Sequence, residues 1–110
     1  MSGLLTQLGH VGLVHYLVVG ALLFVLGLVT VATRRSAVAM LMGIELILNA
    51  AAINFVAFAH FVDGGMSGMV FAVFVIVLAA AEAAVALAIV LAVFRHFHTA
   101  DATQVATLRD

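Results

Sequence analysis

Two carboxylates stand where this chain has least reason to carry them. Glu45 interrupts the apolar run LMGIELILNA (41–50), and Glu82 interrupts LAAAEAAVAL (78–87), each without a basic residue close by in sequence. A lone carboxyl in apolar surroundings does one of two things. It stays neutral and hydrogen-bonds a neighbouring element, or it exchanges protons as its surroundings change. Carboxyls in a low dielectric hold their proton more tightly than in water. Alternating surroundings therefore turn such a group into a proton carrier, and files of them mark proton relays in pumps. Asn49, four residues after Glu45, shares its helical face and is the candidate to support a relay there by holding water. Asn54 lies nine residues on, about 180° around a helix, and faces elsewhere.

The elements that carry these residues follow from composition. Of the 110 residues, 67% are hydrophobic and only 8% are charged. Soluble domains carry about a quarter charged residues, so this chain cannot cover a globule with polar groups. A formal net charge of −1 gives no electrostatic reason to expect nucleic acid as a partner. Cysteine is absent, which excludes disulfides and thiolate metal sites. Proline is also absent, so no helix is kinked by that route.

Uncharged runs extend over approximately 11–33, 36–62 and 69–94, the last two containing only Glu45 and Glu82 as acids. Each exceeds the roughly 20 residues a helix needs to cross the hydrocarbon core. Backbone groups in lipid must be satisfied within the segment, and no period-two alternation suggests barrel strands. The expected fold is an all-α membrane protein of three transmembrane helices, one membrane domain over 1–110 with a polar tail at 95–110. The first run lacks a basic leader and is too long for a signal-peptide core, so it reads as a retained helix.

Arg34 and Arg35 occupy the first connection, and Arg95 and Arg109 follow the third span. The positive-inside rule then puts the N-terminus outside and the C-terminus in the cytoplasm, with Arg34 and Arg35 as loop anchors at the lipid headgroups. Glu45 is ten residues from Arg35 and Glu82 thirteen from Arg95, roughly 15 and 20 Å along their helices. Both carboxyls fall at similar depth, near mid-membrane. Alanines crowd Glu82, and small residues let other helices approach closely. Gly20 and Gly27, seven apart, suggest a further close contact on the first helix. DGG at 63–65 supplies permissive backbone for the second turn. His10, His15, His60, His96 and His98 fall near the span ends and read as interfacial anchors rather than a metal site.

The stretches RRSAVAMLMGIELILNAAAINFVAF (34–58) and VFAVFVIVLAAAEAAVALAIVLAVFR (70–95) resemble subunit K of the NADH-quinone oxidoreductase family, which comprises respiratory complex I and its photosynthetic relatives. The likeness runs from about Leu17 through the tail, where Thr103 and Gln104 stand at positions that in the family are commonly acidic. The resemblance implies a membrane-arm subunit of a proton-pumping NAD(P)H- or ferredoxin-quinone oxidoreductase. It implies Glu45 and Glu82 as members of the arm's line of buried relay groups. It implies a non-redox subunit with no catalytic activity alone and no cofactor of its own. Quinone, iron–sulfur clusters and optionally flavin belong to other subunits. The implied partners are the quinone-site-adjacent and antiporter-like subunits and the lipid bilayer. The implied location is the bacterial inner (plasma) membrane, with a thylakoid-type membrane as the alternative. Two rival readings are the small subunit of a multisubunit Na+/H+ antiporter, a family that usually lacks both acids, and a purely structural subunit in which the acids are helix glue. A small multidrug exporter needs four spans, with a single acid in the first.

Overall fold

The computed structural model describes Gly3, residues 10–98 and residues 100–107. Its helices are α1 (Leu13–Thr33), α2 (Ala37–Phe58), α3 (Ser67–Phe97) and a short tail helix α4 (Ala102–Thr107). The three long helices are long and apolar enough to cross a membrane. A π-helical turn, Ala59–Asp63, continues α2.

Local chemistry sets each end. At the start of α1 the Gly12 N–H donates to His15 Nδ1 at 3.0 Å, which satisfies one donor that the helix itself leaves open. Near its end the Thr30 and Thr33 hydroxyls donate to the carbonyls of Leu26 and Val29, so neither polar group confronts lipid unsatisfied. Ser36 caps α2, its Oγ accepting from the Ala39 N–H at 3.4 Å. The π turn closes with the Gly64 N–H donating to the Ala59 carbonyl at 2.8 Å. Gly64 then ends it with φ +65°, in the left-handed region that glycine enters without steric cost. Arg95 and His96 fall in the last turn of α3, where cations favour the helix dipole.

The helices form a layer rather than a bundle. α2 lies in the middle, packed by α1 on one edge and α3 on the other. Across the helix axes the Cα atoms extend 31 × 15 Å, about three helices wide and one helix thick. Among the described residues the buried ones are small: Gly20 and Gly27 on α1, Gly43, Ala50, Ala52 and Ala57 on α2, Ala59 in the π turn, and Ala72 and Ala79 on α3. Large apolar side chains such as Leu22, Phe74 and Val85 point outward. Such seams are held by close backbone approach, the usual packing mode where lipid removes the hydrophobic drive between helices. The close contact expected at Gly20 and Gly27 is the α1–α2 seam. A Cβ built on Gly27 would lie 2.6 Å from the Gly43 carbonyl oxygen and 2.7 Å from Ile47 Cγ1.

The tail turns back on the membrane unit. The Ala37 N–H donates to the Ala100 carbonyl at 2.9 Å, and the Ala102 N–H donates to the Arg35 carbonyl at 3.0 Å. Ser36 and Asp101 thus face each other in an antiparallel bridge. Asp101 Oδ1 accepts from the N–H groups of Thr103 at 2.8 Å and Gln104 at 3.3 Å, capping α4. Partial desolvation pulls the Asp101 carboxyl upward. The hydrogen bonds from Thr103 and Gln104 and the attraction of Arg35 together outweigh it and leave the group below its ordinary value.

A depressed carboxyl favours the ordered tail, chiefly through its cap on α4 and in smaller part through Arg35, at any pH above its free value, near 3.9, and that contribution is lost as pH falls through the value in the ordered tail. A spin label placed by Thr107→Cys is therefore expected to stay ordered from neutral pH down to the ordinary carboxylate range and to gain mobility below it. Asp101→Asn should remove the pH dependence; the same acid transition in that variant would show that another group holds the tail.

Candidate functional site

Leu41, Ile44 and Glu45 fall on one stripe of α2, and Ala81, Glu82, Val85, Ala86 and Ile89 on one stripe of α3, because side chains three and four apart share a helical face. Where the two helices pack, these stripes line a single groove of about 420 Å³. Both glutamates open onto it, and every other side chain lining it is apolar.

Their surroundings differ. Glu45 is half-buried, and its Oε1 is fully buried without a hydrogen-bond partner. A buried, unmatched polar atom costs roughly 1–3 kcal/mol, so this oxygen calls for a hydrogen-bond donor from outside the chain. Glu82 is exposed on this chain. The alanines around it divide: Ala79 is buried, Ala83 and Ala86 are half-buried, and Ala80, Ala81 and Ala84 are exposed. α3 meets the rest of the chain mainly along α2, so any protein collar around its other faces comes from neighbours.

Asn49 sits one turn from Glu45 but opens onto a different groove, of about 380 Å³, with Tyr16, Ile53 and Ile76 among its walls. The structure does not bring it to the groove that the glutamates share. Asn54 does face away from Glu45, as its spacing requires, and lands in the α1–α2 seam. Its Oδ1 is buried without a partner and lies 2.7 Å from where a Cβ on Gly20 would stand. Spacing places Asn54 on a face, but only the packing reveals that the face is buried.

Arg34 closes α1, its N–H donating to the Thr30 carbonyl at 3.0 Å. Arg35 has a role beyond anchoring: its carbonyl and its charge both hold the tail. The sequence leaves open whether the polar tail packs on something or stays mobile, and this docking is what it does not specify. Its signal was DATQ (101–104), an Asp followed three residues later by Gln, which is a helix-start signature. The histidines take separate local roles. His15 caps α1, His60 and His96 meet Phe61 and Phe97 edge-on, each at 4.7 Å, and His98 ends α3 with φ +56°. Among the described residues no three His, Cys, Asp or Glu side chains are grouped to hold a metal ion.

A slab of three apolar helices with two carboxyls in one interhelical groove can be set beside known proteins. The family described as NADH-ubiquinone/plastoquinone oxidoreductase chain 4L matches residues 15–110. This chain belongs to that family. It is 53% identical to the NADH-quinone oxidoreductase subunit K of Chlorobaculum parvum, over 94% of this chain and 98% of that one. It is 51% identical to subunit K 1 of Koribacter versatilis, over 93% of this chain and 99% of that one. The NAD(P)H-quinone oxidoreductase subunit 4L of Synechococcus sp. (strain JA-3-3Ab) is 54% identical over 78% of this chain and 85% of its own. As a chain 4L protein, it is a small multi-pass membrane subunit of a quinone oxidoreductase complex, and the other subunits of that complex are its partners.

Proposed function

We propose that this chain is a non-redox subunit of the membrane arm and that Glu45 and Glu82 pass protons, or the charge changes that drive them, along the arm as quinone is reduced. The observation that carries this reading is the groove between α2 and α3 onto which both carboxyls open. Mid-membrane acids are costly, by about 2.5–3.5 kcal/mol on insertion scales, and helix glue alone does not need two of them on one apolar groove. A carboxyl exchanges its proton when its surroundings alternate between dry and hydrated. The exposed side of Glu82 leaves its surroundings to a neighbouring subunit, which can alter them during turnover. Asn49, toward the Tyr16 side, is the nearest polar side chain along α2 that could extend the path with water.

The quinone-site-adjacent and antiporter-like subunits flank the slab in this reading. Quinone, iron–sulfur clusters and any flavin reside in other subunits. The arginine-bearing ends face the cytoplasm of a bacterial plasma membrane, or the equivalent side of a thylakoid-type membrane.

The test is the double variant Glu45→Gln with Glu82→Gln in the assembled complex. Gln keeps size and hydrogen-bonding capacity and removes titration. Intact assembly with proton translocation lost supports the relay. Intact assembly with normal translocation rules it out, and failure to assemble identifies the acids as helix glue.

A further inference from the structure

Ile89 stands at one end of the lining of the groove that holds the glutamates. That residue also lines a second space, of about 280 Å³, which continues toward the arginine-bearing end of the slab. Ala37 of α2 and Val90 and Val93 of α3 form its walls, and Ala102, Val105 and Ala106 of the tail form its cover. No polar or charged side chain lines it. Such a lining disfavours water, which needs two to four polar partners to settle in a space. A proton moving along the α2–α3 seam would therefore have neither water nor a titratable side chain to ride on in this section.

The cover is held in place by the backbone. Ala37 and Arg35 on one side bond to Ala100 and Ala102 on the other, and Asp101 caps the helix that carries Val105. The bonded strand returns from the end of α3 to the start of α2, so it bridges the two helices whose seam it closes.

We propose that the tail helix α4 is a water seal: it closes the arginine-bearing end of the α2–α3 seam and stops protons on that side from reaching Glu45 and Glu82 along it. The inference rests on the relay reading, since a seal matters only for groups that exchange protons. A relay with a dry end on one side exchanges sideways, with neighbouring subunits, rather than directly with the bulk phase below it.

Thiol access tests the seal without measuring pumping. The chain has no cysteine, so Ala86→Cys places one thiol in the glutamate groove. In the assembled complex in inverted vesicles, a charged maleimide is added on the arginine-bearing side and alkylation of this chain is followed by mass. With the tail intact, alkylation is expected to be at least tenfold slower than at an outer-face Thr107→Cys thiol. Adding Val105→Asn, which keeps every backbone bond of the clasp, should speed it severalfold, and Val105→Ile should not. Fast alkylation with the tail intact overturns the seal, and so does a rate that Val105→Asn leaves unchanged. Failure of the relay shows instead in the glutamate-to-glutamine variants, which leave thiol access unaltered.

Discussion

Glu82→Gln alone is expected to leave the complex assembled while slowing proton translocation and the quinone reduction coupled to it by on the order of tenfold. Removing a proton-transfer group costs 10²- to 10⁴-fold where it acts alone. Neighbouring groups in a coupled file take over part of its work, so a single variant should fall below that range. Glu82→Asp keeps a titratable carboxyl one methylene shorter and should recover much of the rate. A purely structural role predicts the opposite ranking, because Gln preserves shape and hydrogen bonding better than Asp does. The two substitutions, read side by side as pumping in reconstituted vesicles against the amount of assembled complex, separate titration from fit. Glu45→Gln should act in the same direction with some loss of stability as well, since its buried Oε1 sits within this chain and an amide NH₂ placed there would need an acceptor.

The largest structural effect is expected at Gly27. A Cβ there meets the Gly43 carbonyl oxygen at 2.6 Å and the Ile47 backbone nitrogen at 3.2 Å, and backbone on both sides cannot yield. Overpacking a tight seam costs typically about 1–3 kcal/mol, occasionally more. Gly27→Leu forces α1 away from α2 altogether. It should sharply lower the amount of this chain in purified complex and the thermal stability of the membrane module. Gly20→Ala is the informative contrast. Its nearest neighbour is the end of the Asn54 side chain at 2.7 Å, with the Ala50 carbonyl oxygen at 3.6 Å, so a rotation of one amide relieves the clash. Assembly close to normal is expected there, and equal damage at both glycines would mean that the seam is more rigid than its contacts indicate.

What could be read in the sequence was whatever lipid imposes. Three apolar runs must be helices, and an acid inside one must be explained, so the helices and both glutamates were legible from Val11 to Phe94. The pairing of α2 with α3 was not. Apart from the glycine pair on α1, hydrophobic periodicity could not point a face inward on helices apolar on every side, and Glu45 and Glu82 could be matched in depth but not in direction. Asn54 illustrates the same limit: spacing turned it away from Glu45, and only the position of Gly20 shows what it turns toward. The tail was illegible for another reason. Its docking rests on backbone hydrogen bonds among Arg35, Ala37, Ala100 and Ala102, which any residue type but proline could make, and only the Asp101 cap leaves a trace in residue identity.

The one-helix thickness of the slab has a consequence for how substitutions in this chain are classified. A panel of this kind has two outsides and almost no middle. Where its small inward residues already touch backbone, as at Gly27, they do not tolerate growth. Its large outward residues, such as Phe74 and Leu22, face lipid or other subunits of the complex, so they are expected to tolerate polarity poorly. Solvent exposure measured on the isolated chain therefore reverses its usual meaning, and the positions that look most permissive are the ones whose loss another molecule feels.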